Sequence, residues 1–503
     1  MAARPASLAS LFAIDPRGLA ALRVGLGLCA LADIGVRATS LRAHYTDAGV
    51  LPRSEAIELF AWLHEWGWSM HLLGGSTLAQ AVLFGVHAVA AGALILGVRS
   101  NLAAAIVWAL TSSVQLRNLF IGGGFDALLR LLLLWAMFLP LGARASVDRH
   151  QRTSPLERTP HASIASAAFL LQTAIVYFAA GLAKAEEPVW RNGEALQRVL
   201  QDEFFTTRFG AWLGGSDFAC QLATWAVLGA ELVAPPLLFA LAFAPAARTA
   251  LIGALLAMNL GFGLALSVGP FPWIMSVALL AFVPPATWNR IGPGTRTGRA
   301  RWPELTPALA APTRRLAAPA IPGAARRAAA VLCAALLAYT LVWNVGVARD
   351  PAYGGPPGFR WFGHTFFLQQ SWRMFARPSS LTGWLVVSGR LVDGRAVDLL
   401  AAGGPVPGDD AIGAVSFARP HDIVATTADI RWRQLLRRTS AGSASEGTPL
   451  HYGRYLCATW NDEHAGGEQL AGFEIVRFFR RIEAPFAEQP YERRTVWKHD
   501  CFG

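Results

Sequence analysis

Charged side chains are scarce in this sequence. They make up 15% of its 503 residues, against 53% hydrophobic residues. The mean hydropathy is +0.37. A soluble enzyme carries roughly a quarter charged residues, so this shortfall points to a multi-spanning membrane protein. The usual marks of nucleotide and hydrolytic chemistry are missing too. There is no P-loop, no nucleotide-binding glycine fingerprint, no zinc motif and no serine nucleophile elbow. His44, His64 and His71 have no metal-like spacing, so no metal is expected. A signal-peptide layout is absent from Met1–Arg17: the apolar run that follows, Leu19–Val36, is long enough to be a span, and no small-residue cleavage site follows it.

What charge there is has a sign and a place. The net charge is +11. The arginines crowd short connections between apolar runs and form no dense basic stripe, which argues against nucleic acid as a partner and for the lipid bilayer. Apolar runs of spanning length fall at about Leu19–Val36, Leu78–Val98, Leu102–Phe120, Ala127–Leu141, Ala162–Ala183, Phe218–Phe243, Thr249–Val268, Phe271–Pro285 and Ala328–Val347. That is about nine spans, the fourth and eighth marginal in length. Arg99, Arg144, Arg149, Arg152, Arg158, Arg248 and the stretch from Arg290 to Arg327 mark one side; acid-rich connections mark the other. The alternation predicts a cytoplasmic N-terminus and an extracytoplasmic chain after Val347.

The expected architecture is a polytopic α-helical membrane domain over residues 1–348, with a C-terminal extracytoplasmic mixed α/β domain, rich in β structure, over 349–503. Two connections on the acidic side are too long for turns. Ile57–His64 and Gly193–Trp212 read as amphipathic helices that roof a cavity or anchor at the interface. Leu8–Ile14 reads as a short interfacial helix. In the C-terminal part, Gly383–Leu400 alternates like a hairpin around Asp393-Gly394. Ile430–Arg438 and Tyr452–Trp460 read as helices, Phe473–Arg480 as a strand and Thr439–Thr448 as a loop. Cys457 and Cys501 form an even pair in a compartment expected to be oxidising, and are a disulfide candidate.

Ionisable groups inside apolar runs are functional candidates, because placing them there costs a few kcal/mol or more. Here they are Asp33, His87, Asp126, Arg130, Lys184 and Glu231. Lys184 closes a long apolar run and is followed by Glu186, Glu187, Pro188 and Trp190. It reads either as a snorkelling helix end or as an amine able to act as a base where apolar wall meets solvent. Gly181 lets another helix come close, and the acidic segment could steer a substrate. His87 and Glu231 read as helix-to-helix hydrogen bonders. Asp126 and Arg130, one turn apart, read as a structural ion pair. The other reading of Arg117, Asn118, Asp126 and Arg130, with Lys184, is a polar pocket near the outer boundary for an anionic or quinone-like head group.

Several separated motifs carry a resemblance. They are Phe12-Ala-Ile-Asp15-Pro-Arg17, His44-Tyr45-Thr-Asp47-Ala-Gly-Val-Leu-Pro52-Arg, Tyr177-Phe-Ala-Ala-Gly-Leu-Ala-Lys184 with Trp190, and Phe271-Pro-Trp-Ile-Met275 with Pro284-Pro285. The tail adds Ser371-Trp-Arg-Met-Phe375-Ala, Gly383-Trp and Trp497-Lys-His-Asp-Cys501. The chain resembles the horizontally transferred transmembrane domain family, which is related to vitamin K-dependent gamma-carboxylase. The Ala- and Arg-rich composition suggests a bacterial source and hence a plasma (inner) membrane; the resemblance implies use of reduced vitamin K or a related quinol. Lys184 stands where the carboxylase has its base lysine, and Tyr177 falls in the same motif. That lysine takes a proton from the quinol; oxygen and the quinol then drive removal of a γ-proton from glutamate, and the carbanion takes up carbon dioxide. The carboxylase's paired lysine is Ala183 here, and its Asn-His pair falls near Phe125-Asp126. The substrate implied is a peptide or small molecule on the outer face. The alternative is a non-enzymatic scaffold, immunity or transport-associated member of the family.

Overall fold

The computed structural model describes residues 8–150, 159–291, 323–400, 411–440, 447–483, 486 and 489–502. In chain order the bundle contains α1 (Pro16–Thr39), α2 (Thr77–Leu96), α3 (Ser100–Arg117), α4 (Gly124–Ala136), α5 (Ile164–Ala185), α6 (Asp217–Ala240), α7 (Pro245–Ala265), α8 (Phe271–Leu279) and α9 (Gly323–Arg349). Among the described residues, six of these are long and apolar enough to cross a membrane: α1, α2, α5, α6, α7 and α9. A seventh span arises if α8 and its continuation are joined to Pro285–Ile291 across a bend of 108°. Pro284-Pro285 explains the break, since proline disfavours a helical residue before it and donates no hydrogen bond.

Length and apolarity thus support six or seven spans where hydropathy alone suggested nine. α4 has 13 residues; at 1.5 Å per residue it is about 20 Å long, short of a hydrocarbon core of roughly 30 Å. It is almost wholly buried, from Phe125 to Ala136, inside the main apolar cluster. α3 is long enough but carries buried Thr111, Ser112, Ser113 and Gln115. α4 is apolar because it is interior, whereas α3 buries its second half and exposes Leu102 and Ile106 in its first; composition does not separate an interior helix from one that faces lipid.

The chain after α9 builds a four-stranded antiparallel sheet in the order β2-β1-β3-β4, from β1 (Leu381–Leu391), β2 (Ala396–Asp398), β3 (Leu470–Arg481) and β4 (Glu492–Asp500). The β1–β2 turn is at Asp393-Gly394, where Gly394 takes φ 89°, open to glycine at no steric cost. Helices α10 (Ile430–Ser440) and α11 (Thr448–Glu463) pack with the sheet. β4 escapes sequence reading because it is a polar edge strand, Glu-Arg-Arg-Thr-Val-Trp-Lys-His-Asp, with no apolar alternation. Cys457 on α11 is bonded to Cys501, with Cα atoms 5.4 Å apart.

The two halves share a core. Tyr45, Phe60, Phe84 and Phe120 of the N-terminal half join Trp432, Leu435, Tyr452 and Ile475 in one apolar cluster. Beneath it lies a closed ring of four charges. Arg37 bonds Asp33 at 2.8 Å and Asp126 at 2.5 Å. Arg431 of α10 bonds Asp126 at 2.6 Å and also pairs with Asp33. All four are buried, and the ring carries no net formal charge.

Some expectations fall outside the described residues: Arg152 and Arg158, most of the basic stretch from 290 to 327, and the middle of the loop 439–448.

Candidate functional site

The site is built on the inward face of α5. Val176, Tyr177, Ala180 and Lys184 recur at helical spacing and line one cavity. Opposite runs α6, brought close by Gly181: a Cβ there would sit 3.0 Å from the backbone carbon of Glu231. That approach sets the central contact. Lys184 Nζ donates to both carboxylate oxygens of Glu231, at 2.8 and 2.7 Å. Each residue is only 5% exposed. Pro235, inside α6, has no N–H to give the Glu231 carbonyl four residues earlier, so the backbone there is locally freed. The Trp190 ring lies 5.2 Å from Lys184 Nζ, a cation–π contact.

The cavity has a volume of about 1030 Å³, at the upper end of small-molecule sites. Its walls come from both halves of the chain. Phe262, Leu266 and Phe271 make apolar wall on the bundle side, and Phe60, Trp62, Leu196 and Val199 come from the two long connections. Tyr177 and Asn259 add a second polar pair: the tyrosine oxygen lies 2.9 Å from Asn259 Nδ2 and 3.2 Å from Oδ1. Asp202 also lines the cavity, and burial pushes its carboxyl up to about 6. The backbone N–H of Phe204 and the charges of Arg437 and Arg477 oppose that shift.

A strap from Phe367 to Arg377 closes one side. Arg130 donates to the carbonyls of Phe367 (3.0 Å) and Gln369 (2.6 Å). Trp343 holds the Gln370 carbonyl at 2.7 Å, and Trp190 holds those of Phe375 and Ala376 at 2.9 and 3.1 Å. Phe367 and Phe375 take φ of 53° and 54°, a left-handed conformation that strains a bulky residue. Glu186 pairs with Arg373 at 3.2 Å, and Glu187 pairs with Arg377. The acidic pair after Lys184 therefore clamps the strap, in place of the substrate-steering role read from the sequence.

The expected site residues separate into two groups. Tyr177, Lys184, Asp126 and Arg130 line the cavity; Arg117 and Asn118 do not. Arg117 donates to the carbonyls of Leu51 (2.8 Å) and Thr46 (3.0 Å), and Asn118 to that of His44 (3.0 Å). Both hold the 44–51 loop in place. The Asp126–Arg130 pairing read from their spacing is replaced: Asp126 takes Arg37 and Arg431, while Arg130 holds the strap and Gln115. Glu231 does bond across helices, and its partner is Lys184. Among the described residues no cluster of three or more metal-ligating side chains occurs.

Sequence reasoning missed Asn259, the strap and Arg431. One unused signal was in view. Lys184 and Lys498 are the only two lysines among 44 basic residues, so a lysine at this position is a departure from the chain's own habit.

A family model described as the HTTM domain matches residues 12–288. The chain belongs to that family. No curated protein and no solved structure matches it. The HTTM match contains Tyr177, Lys184, Glu231 and Asn259, whereas the strap, Arg431 and Arg437 lie beyond it. The protein is a multi-pass membrane protein of the HTTM family, with a cavity built jointly by the family domain and the C-terminal part.

Proposed function

We propose that this HTTM protein is a quinol-dependent membrane enzyme of the gamma-carboxylase type, with Lys184 and Glu231 as its proton-handling pair. The observation that carries this reading is a buried amine–carboxylate contact on the wall of a cavity large enough for a lipid-soluble ring. The lining suits such a ligand: aromatic and aliphatic wall, with polar groups at a few fixed points. Reduced vitamin K or a related quinol, when bound, supplies the reducing equivalents with which oxygen drives removal of an unactivated proton from a substrate.

The chain's own residues would do the following. Moving one proton from Lys184 Nζ to a Glu231 oxygen turns an ammonium–carboxylate pair into an amine and a carboxylic acid. The amine then accepts a proton from the ligand's hydroxyl, which leaves Lys184 charged and Glu231 protonated. Trp190 faces the ammonium and steadies it. Tyr177 and the strap keep bulk water away from the exchange. Asp126 and Arg130 border the cavity and keep its outer end in shape.

Topology supports a substrate, peptide or small molecule, arriving from outside the inner membrane. Seven crossings would put the two ends on opposite sides, and the arginine-rich connections favour a cytoplasmic N-terminus. The Cys457–Cys501 bond fits an oxidising, extracytoplasmic compartment for the C-terminal part. A second reading has one observation in its favour: Lys184–Glu231 also bridges α5 and α6, as a helix clamp in a non-enzymatic scaffold would.

Turnover separates the two. With purified protein, a menaquinol-class quinol, oxygen and labelled carbon dioxide, Lys184→Ala and Glu231→Gln should each lose about 10²-fold or more in quinol consumption while remaining folded. Wild-type protein inert toward quinols, or variants at the wild-type rate, would leave the clamp reading.

A further inference from the structure

We infer that Asn259, positioned by its bond to the Tyr177 hydroxyl, is a second polar station of the cavity, which holds an oxygen at the far edge of a flat, neutral ring ligand. The inference rests on the quinol reading above and adds the ligand's orientation and its other contact.

The buried face of α7 runs Arg248, Ile252, Leu255, Asn259. Arg248 sits in the first turn, about three turns away, so at the cavity end of that face Asn259 follows apolar neighbours. It is 1% exposed, yet it lines the cavity. An amide side chain offers two N–H donors and two acceptor positions. Among the described residues its one hydrogen-bonding partner is the Tyr177 hydroxyl. One hydroxyl has one proton to give, so at least one Asn259 N–H and one acceptor position remain unused. Leaving amide capacity unused away from water is costly, and a ligand oxygen would relieve it.

Geometry ties this station to the first. Tyr177 and Lys184 are seven residues apart on one face of α5, about 10 Å along the axis. Their side chains therefore bracket a stretch of apolar wall. A ligand that fits carries hydrogen-bonding oxygens on opposite edges of a planar ring. Glu231 disfavours an anionic group near Lys184, since that pair is already neutral. An amide can donate to a carbonyl and accept from a hydroxyl. The Asn259 station therefore holds the ligand in both its oxidised and its reduced form, whereas Lys184–Glu231 acts on the reduced form alone.

The test uses full-length protein in nanodiscs and a naphthoquinone carrying ¹³C at one carbonyl, followed by infrared spectroscopy and equilibrium binding. Wild type should shift one carbonyl band on binding. Asn259→Leu should lose that shift and bind about tenfold more weakly, the effect of roughly one hydrogen bond left unmade. Lys184→Ala should keep the shifted band. Tyr177→Phe, which retains the ring and frees the amide, should move the band further, and stands in if Asn259→Leu fails to fold. Wild-type affinity and band in Asn259→Leu, or an unmoved band in Tyr177→Phe, would overturn the second station and leave the proton-handling pair standing. No binding of any naphthoquinone to the wild type would overturn both.

Discussion

Asp202 shows how one buried group ties the cavity to pH. Burial raises its carboxyl from 3.8 to about 6. Between those values the folded protein holds a proton that the unfolded chain has released, so stability falls as pH rises through that window. Asp202→Asn should remove this contribution and flatten the melting temperature between about pH 4 and 6. An unchanged slope in the variant would mean that the proton resides elsewhere. His44 has the opposite sign. Its ring is buried against Trp432, with ring centres 4.3 Å apart, and burial pushes it down to about 3. It is neutral in the fold and takes up its proton only on unfolding, so stability falls as pH drops from 6.5 toward about 3. At this scale the sequence shows that a residue is ionisable and sits in an apolar run. It does not show the partner: Lys184 and Glu231 are 47 positions apart, and only the approach at Gly181 joins them.

Among the elements, α10 is the one whose role sequence could not show. Ile430–Arg438 read as an ordinary short helix with arginines. In the fold Arg431 is driven into the bundle to close a ring with Asp33, Arg37 and Asp126. Removing one member leaves an uncompensated buried charge, which costs about 3–5 kcal/mol. Arg431→Met should therefore lower the melting temperature steeply, and adding Asp33→Asn should recover part of the loss by restoring neutrality. A thermal scan of both variants checks this; a harmless Arg431→Met would show the ring to be incidental. The long apolar helices were legible from their hydropathy, and the β1–β2 hairpin from Asp393-Gly394. α4 was legible as a helix but not as an interior one, and β4 was not legible at all, because nothing in a polar edge strand distinguishes it from a loop.

Across the whole molecule, the cavity lies where the HTTM domain meets the C-terminal part, and neither makes it alone. The break between residues 348 and 349 sits at the end of α9 but does not divide the core, since Tyr45 and Phe120 pack with Trp432 and Tyr452. A chain cut after residue 348 should aggregate or melt far below the full-length protein, because it loses Arg431 and exposes that cluster. Size-exclusion chromatography in detergent reads this directly; a monodisperse fragment would show that the bundle stands alone.

The scarcity of lysine makes the decisive measurement simple. Selective ¹³Cε-lysine labelling of full-length protein in nanodiscs gives two resonances, from Lys184 and Lys498, and Lys498→Arg assigns them. Titration with a naphthoquinol should shift the Lys184 resonance saturably and leave that of Lys498 unmoved. A Lys184 resonance that stays in place at saturating ligand would contradict a catalytic amine in a quinol cavity.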